Sequence, residues 1–159
     1  MKSYKITLLP GDGIGPEITK VTQQILHLVS KKFDFELTFK EMPFGGSAIE
    51  SYGIPFPDKT LQECKSSDAV LLAAIGDPKY DQLPREKRPE SGLLNLRSSL
   101  DLFANIRPVK IIPSLTNASS LKEEFVNQVD LVVVRELTSG IYFGEPKGRI
   151  KTEEGERAF

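Results

Sequence analysis

Two arginines, Arg97 and Arg107, follow an acid, Glu90, and an apolar pair, Leu93 and Leu94, in the stretch RPESGLLNLRSSLDLFANIRP. This combination suits a small ligand with carboxylate ends and an apolar branch. The planar guanidinium matches a carboxylate through two parallel hydrogen bonds and keeps its charge at any physiological pH. A plainer reading stands beside it, because an arginine on a helix is ordinarily a solvated surface group whose ion pairs count for little. A second chemical signal is GDGIG, where Gly11, Gly13 and Gly15 alternate. The third glycine comes one residue too early for the dinucleotide fingerprint G-x-G-x-x-G, so on spacing alone a tight turn is the better reading. A glycine turn at a helix start can nevertheless present free N–H groups to an anion.

The elements that must carry these residues can be read along the chain. Lys5–Leu9 predicts a strand stopping at Pro10, and Pro16 with Glu17 predicts a helix start. Ile18, Val21, Ile25, Leu26 and Val29 then recur at helical spacing and mark the expected buried face. The one histidine, His27, falls in this helix as a surface or edge residue. Phe33–Phe39 alternates as a half-buried strand does. A short helix is expected over Ser47–Ser51, and Asp58 reads as the cap of a helix running through Cys64.

Asp68–Ala74 reads as a strand buried on both faces, followed by a polar, proline-rich loop from Ile75 to Glu90. Loops of this length are usually functional or disordered. A helix over Ser91–Leu102 and an extended Phe103–Ile112 follow, with Pro108 confining the latter to an edge or a bend. Ser120 with Glu123 has the pattern of a capping box. Asp130–Val134 reads as a buried strand that delivers Arg135 and Glu136 at its end. Strands alternating with helices predict an α/β fold with a largely parallel sheet. The last residues, GIYFGEPKGRIKTEEGERAF, predict a hairpin or arm.

Composition narrows the function class. With 159 residues the chain can form an ordinary core, and 21 basic against 22 acidic residues disfavour a nucleic-acid partner. No apolar run approaches the roughly 20 residues that cross a bilayer, so no membrane partner and a cytoplasmic location are expected. The single cysteine, Cys64, has no partner for a disulfide or zinc site and is expected to pack inside.

Five blocks in order, LLPGDGIGPE, the loop ending in RPE, SGLLNLR, DLFANIRP and VRELTSGIYFGEP, closely resemble the isocitrate/isopropylmalate dehydrogenase family, from about Ile6 to the last residue. The resemblance implies a non-Rossmann α/β fold of mixed sheets with flanking helices, which explains the failed glycine spacing. It also implies NAD-dependent oxidative decarboxylation of a small dicarboxylate, in which Arg97, Arg107 and Arg135 hold the carboxylates and Tyr142 is the catalytic proton donor. The loop from Asp77 to Glu90 corresponds to the cofactor loop, with Ile14, Gly76, Asp77, Pro78 and Glu90 as the implied cofactor contacts. Asp77 and Tyr80 depart from the glycine and tryptophan expected there, changes that a surface loop would tolerate. Gly92, Leu93 and Leu94 stand where isocitrate enzymes carry a serine-containing segment. Two leucines cannot bond a third carboxylate but can bury an isopropyl group, which points to isopropylmalate.

Family subunits are about twice this length, so the chain is expected to be an N-terminal portion that is inactive alone. Residues 1–100 would begin the nucleotide-binding domain, and residues 101–159 would begin the second domain, used for dimerisation and substrate. The aspartates that bind Mg2+ or Mn2+, the lysine base and the adenine-binding segment would lie in the missing half, with no metal ligand in this chain. Incomplete sheets favour a homodimer or other self-association. Two alternatives stay open: a non-catalytic binding or assembly module that retains the arginines, or a related 2-hydroxy-acid oxidative decarboxylase of the homoisocitrate, tartrate or isocitrate type.

Overall fold

The computed structural model describes residues 2–139, 143, 144, 146 and 148–158. The chain divides into two compact units, Met1–Leu100 and Asp101–Phe159.

In the first unit, β1 (Lys2–Gly11) is the middle of a parallel three-stranded sheet, between β2 (Phe35–Glu41) and β3 (Ala69–Ala74). Strand β1 continues past its expected stop at Pro10. Its pairing with β2 ends at Leu8 opposite Glu41, so the missing N–H of Pro10 leaves no β2 acceptor unserved. Gly11 still pairs with Ala74 of β3.

Helix α1 (Gly15–Lys32) packs on all three strands, but not by the expected face. Gly15, Thr19 and Ser30 are buried and Leu26 of the expected face is half-buried, whereas Ile18, Val21, Ile25 and Val29 are exposed. At its start the helix comes so close to the end of β1 that a Cβ on Gly15 would lie 1.8 Å from the Pro10 carbonyl oxygen, which leaves room for no side chain there. The helix runs to Lys32 and Asp34 turns with φ 55°, which moves the start of β2 from the expected Phe33 to Phe35. His27 is exposed and meets Phe39 edge-on at 5.1 Å.

Helices α2 (Gly46–Tyr52) and α3 (Asp58–Lys65) follow. Asp58 is not a cap; Pro57 holds that position, and Asp58 sits in the first turn, where its charge favours the positive helix end. Strand β3 is half-buried rather than buried on both faces, because it is an edge paired only with β1. Between it and α4 (Pro89–Ser99), the long loop folds into two short 3-10 turns, Pro78–Tyr80 and Arg85–Lys87. The core joins Leu9, Met42, Phe44, Cys64 and Leu96, so α4 is anchored to the sheet through Leu96. Phe44 and Phe56 meet edge to face at 5.3 Å, a favoured aromatic geometry.

The second unit contains β4 (Ala104–Lys110) antiparallel to β5 (Asp130–Glu136), then the hairpin β6 (Arg149–Thr152) and β7 (Gly155–Ala158). Pro108 lies within β4, in a ladder of two strands among the described residues. The expected burial of β5 is not found: every residue from Asp130 to Glu136 is exposed, because β4 is its only sheet neighbour and the ladder has no covered face among the described residues. The expected capping box is absent too. Lys122 is the cap residue of α5 (Glu123–Val126), and the Ser119 hydroxyl accepts from the Leu121 amide at 3.1 Å one turn earlier.

Candidate functional site

In the first unit, three segments meet at the carboxyl ends of β1 and β3, the end of a parallel sheet where ligands bind as a rule. The first is the glycine turn, where Ile14 caps α1 and stands exposed. The second is the β3–α4 loop, which begins at Gly76, Asp77 and Pro78. The third is the start of α2 at Gly46. Glu90 joins them from the first turn of α4: its Oε1 lies 3.1 Å from where a Cβ on Gly76 would stand. Thus Gly76 and Glu90 are neighbours, and Ile14, Asp77 and Pro78 lie on the segments beside them.

Asp77 and Tyr80 are both engaged in fixing this loop. The Asp77 carboxylate accepts from the Lys79 amide at 3.0 Å and caps the 3-10 turn. Tyr80 is buried rather than a surface residue, correcting the expectation from sequence. Its ring lies so close to Gly46 that an added Cβ would come within 2.1 Å. Its hydroxyl donates to Glu50 Oε1 at 2.9 Å, and Lys79 Nζ donates to the same oxygen at 2.6 Å. Those bonds, Lys79 first, hold the Glu50 carboxyl below its ordinary value, while burial leads in raising the Tyr80 phenol. Gly13, Ser47, Glu50, Asp77 and Tyr80 are among the residues lining a cleft of about 170 Å³ here. Small-molecule pockets run to about 300–1,000 Å³, so this cleft could hold only part of a dinucleotide. A larger cleft of about 530 Å³ lies at the other end of the sheet, lined by His27, Lys31 and Asp34, away from the glycine turn.

Helix α4 carries the apolar pair and Arg97. At about 100° per residue, Glu90, Leu93, Leu94 and Arg97 fall within an arc of about 100°. This flank is distinct from the side bearing Pro89, Gly92 and Leu96, which is buried. Leu93, Leu94 and Arg97 are each half-buried.

In the second unit, Arg107 pairs with Val133 and Asn105 with Arg135. Residues two apart on a strand share a face, so Asn105, Arg107, Val133 and Arg135 lie on one side of the ladder, with the two arginines in the diagonal relation. Arg107 Nε donates to Asn105 Oδ1 at 2.6 Å, which orients its guanidinium. Beyond Arg135, Glu136 accepts from the Thr138 amide at 2.5 Å and from the hydroxyls of Thr138 and Ser139. These bonds, Thr138 foremost, lower the Glu136 carboxyl to about 2. Tyr142 lies outside the described residues.

Residues 5–159 match the family described as isocitrate/isopropylmalate dehydrogenase. The chain belongs to the isocitrate/isopropylmalate dehydrogenase family. Over its whole length it is 87% identical to the 3-isopropylmalate dehydrogenase of Prochlorococcus marinus (strain NATL2A), covering 44% of that protein. It is 63% identical to that of Synechococcus sp. (strain CC9902), again covering 44%. The chain thus spans less than half the length of these relatives. Among solved structures, isocitrate dehydrogenase from Methylococcus capsulatus superposes with a TM-score of 0.74 at 27% identity, over 98% of this chain and 42% of that one. The β-decarboxylating dehydrogenase TK0280 of Thermococcus kodakarensis gives 0.63 at 25% identity, over 98% and 40%.

The family implies NAD and a divalent metal. The glycine turn and the loop opening at Gly76 fit part of a nucleotide, since both end on backbone at the carboxyl edge of the sheet. The described residues do not fit a metal: they contain no group of three or more His, Cys, Asp or Glu side chains able to hold one. Sequence reasoning missed Asp12, Glu50 and Asn105. Only Asn105 had a readable signal, its position two residues before Arg107 on a strand.

Proposed function

We propose that this chain supplies the N-terminal part of an enzyme that oxidatively decarboxylates (2R,3S)-3-isopropylmalate to 4-methyl-2-oxopentanoate with NAD, the reaction of leucine biosynthesis. The observation that carries the reading is α4, whose one flank sets Leu93 and Leu94 beside Arg97. An apolar branch and a carboxylate on one ligand need that pairing. Each methyl or methylene group buried on the leucines contributes roughly 0.8 kcal/mol. A carboxylate in the same place would lose its hydration with no donor in return, at a cost several times larger. The similarity to relatives named for 3-isopropylmalate supports the same choice.

Within the first unit, Leu93 and Leu94 receive the isopropyl group and Arg97 holds a carboxylate, while Ile14, Gly76, Asp77, Pro78 and Glu90 form the dinucleotide side. NAD, when bound, would accept the hydride from the carbon bearing the hydroxyl, and the hydroxyl proton would pass to the lysine base that the family resemblance implies in the remainder of the enzyme. Within the second unit, Arg107 and Arg135 bind carboxylate oxygens, with Asn105 fixing the plane of the Arg107 fork. The 2-oxo acid then releases carbon dioxide, and the Tyr142 hydroxyl gives its proton to the enol carbon. The described residues offer no donor set for the divalent metal. The proposed location is the cytoplasm, and the proposed assembly is a homodimer.

The test is turnover of 3-isopropylmalate with NAD and magnesium, by the chain alone and by the chain joined to the C-terminal remainder of its Prochlorococcus marinus (strain NATL2A) relative. The expected result is turnover only when joined, with isocitrate a poor substrate. Substantial turnover by the chain alone would reject the need for the remainder. Preference for isocitrate would reject the role given to Leu93 and Leu94.

A further inference from the structure

Asp12 lies inside the glycine turn and is only 6% exposed. A carboxylate so placed needs hydrogen bonds to replace the water it has lost. Among the described residues, the hydrogen-bond partners of Asp12 are backbone groups. Its Oδ1 accepts from the Gly46 amide at 2.5 Å, its Oδ2 accepts from the Gly76 amide at 3.0 Å, and its own amide donates to the Ala74 carbonyl at 2.9 Å. Gly46 opens α2, and Gly76 opens the loop between β3 and α4. One side chain therefore fixes the glycine turn, a helix start and that loop against one another.

The geometry divides the work between two anchors. Tyr80 holds the far end of the first 3-10 turn through its ring on Gly46 and its hydroxyl on Glu50. Asp12 holds the near end through Gly76, whose φ of 105° suits glycine and aims its amide at the carboxylate. Both Asp12 oxygens are engaged, each by a different segment.

We propose that Asp12 is a positioning residue for the dinucleotide: it acts through the Gly76 amide to hold residues 76–80 in the shape that receives NAD. This rests on the proposed cofactor role of that loop. The discriminating variant is Asp12→Asn. Its size is unchanged, but its amide has one acceptor oxygen and an NH2 group that would face a backbone N–H, so one of the two bonds is lost.

Two measurements test the proposal. In the joined enzyme described above, Asp12→Asn should raise KM for NAD by about tenfold or more, with kcat and KM for isopropylmalate within about threefold. A residue that only supported folding would lower the active fraction, and so kcat, with both KM values unchanged, and that result overturns the proposal. In the 159-residue chain itself, the Gly46 and Gly76 amides should exchange slowly with solvent, and Asp12→Asn should speed the exchange. A Gly76 amide that exchanges as a free loop does in the unmodified protein overturns the proposal without any variant. Unmodified joined enzyme that turns over without NAD dependence rejects the cofactor reading itself, whereas normal NAD dependence with an unchanged KM in Asp12→Asn rejects only the role of Asp12.

Discussion

The two units make their order in different ways. The first packs side chains from strand, loop and helix into one core, with Leu9 and Phe44 fully buried. The second is built on strand pairing and short turns, and its valines, Val132, Val133 and Val134, remain about half exposed or more. The difference bears on function. Segments proposed to meet the dinucleotide are held by a core that this chain supplies, whereas Arg107 and Arg135 stand on a ladder whose own residues are exposed except for half-buried Asn105, beside the buried Val126 and Leu137.

The sharpest way to break this contrast is a pair of truncations. Phe44→Ala should cost about 3–5 kcal/mol in urea denaturation, the range for emptying an aromatic site in a core. Val134→Ala, at a position 64% exposed, should cost less than about 1 kcal/mol. Equal costs would mean that the second unit is packed as tightly as the first. Next in size is Arg107→Ala in the joined enzyme, expected to raise KM for isopropylmalate by about 30-fold or more while leaving urea stability unchanged. An unchanged KM would remove Arg107 from the carboxylate site.

Smaller effects follow from the ionising groups. Burial pushes the Cys64 thiol from 9.0 up to about 11. Its folded value is raised, so the contribution is complete below 9.0 and is lost as pH climbs through about 11. Urea stability of the unmodified chain should therefore fall more steeply over that window than that of Cys64→Ala, and parallel curves would show the thiol to be hydrated. The smallest effect belongs to the second unit. Glu136 is lowered from 4.5 to about 2, so its bonds to Thr138 and Ser139 persist above 4.5 and are lost as pH falls through about 2. Amide shifts of Thr138 in a pH titration should move with a midpoint near the lower value; a midpoint at 4.5 would show that the turn is unformed in solution.

Local punctuation made much of the first unit legible in sequence. Gly11, Gly13, Gly15 and Pro16 mark the strand-to-helix turn because each residue acts on its own backbone. Burial was less legible, for two physical reasons. The helical period of α1 tells which residues share a face but not which face the sheet accepts, and the close approach of Gly15 to Pro10 is a contact between residues that no periodicity reports. The run DLVVV states that a strand has apolar side chains, yet a strand is buried only if something covers it, and among the described residues β5 has one strand beside it. Within the candidate site, the α4 flank was readable because its residues are neighbours in sequence. Asp12 was not, since its partners lie 34 and 64 residues away and nothing local announces them.

Gly46 beneath the ring of Tyr80 has a consequence for how this sequence can drift. A methyl group at position 46 would overlap the ring, and the ring cannot retreat without giving up its bond to Glu50. Neither position can change freely by itself, so substitutions there should arrive as pairs: a larger residue at 46 tolerated only after a slimmer one at 80. Descendants of this chain should therefore show the two positions varying together across 34 residues of sequence, a trace of packing preserved as a historical constraint.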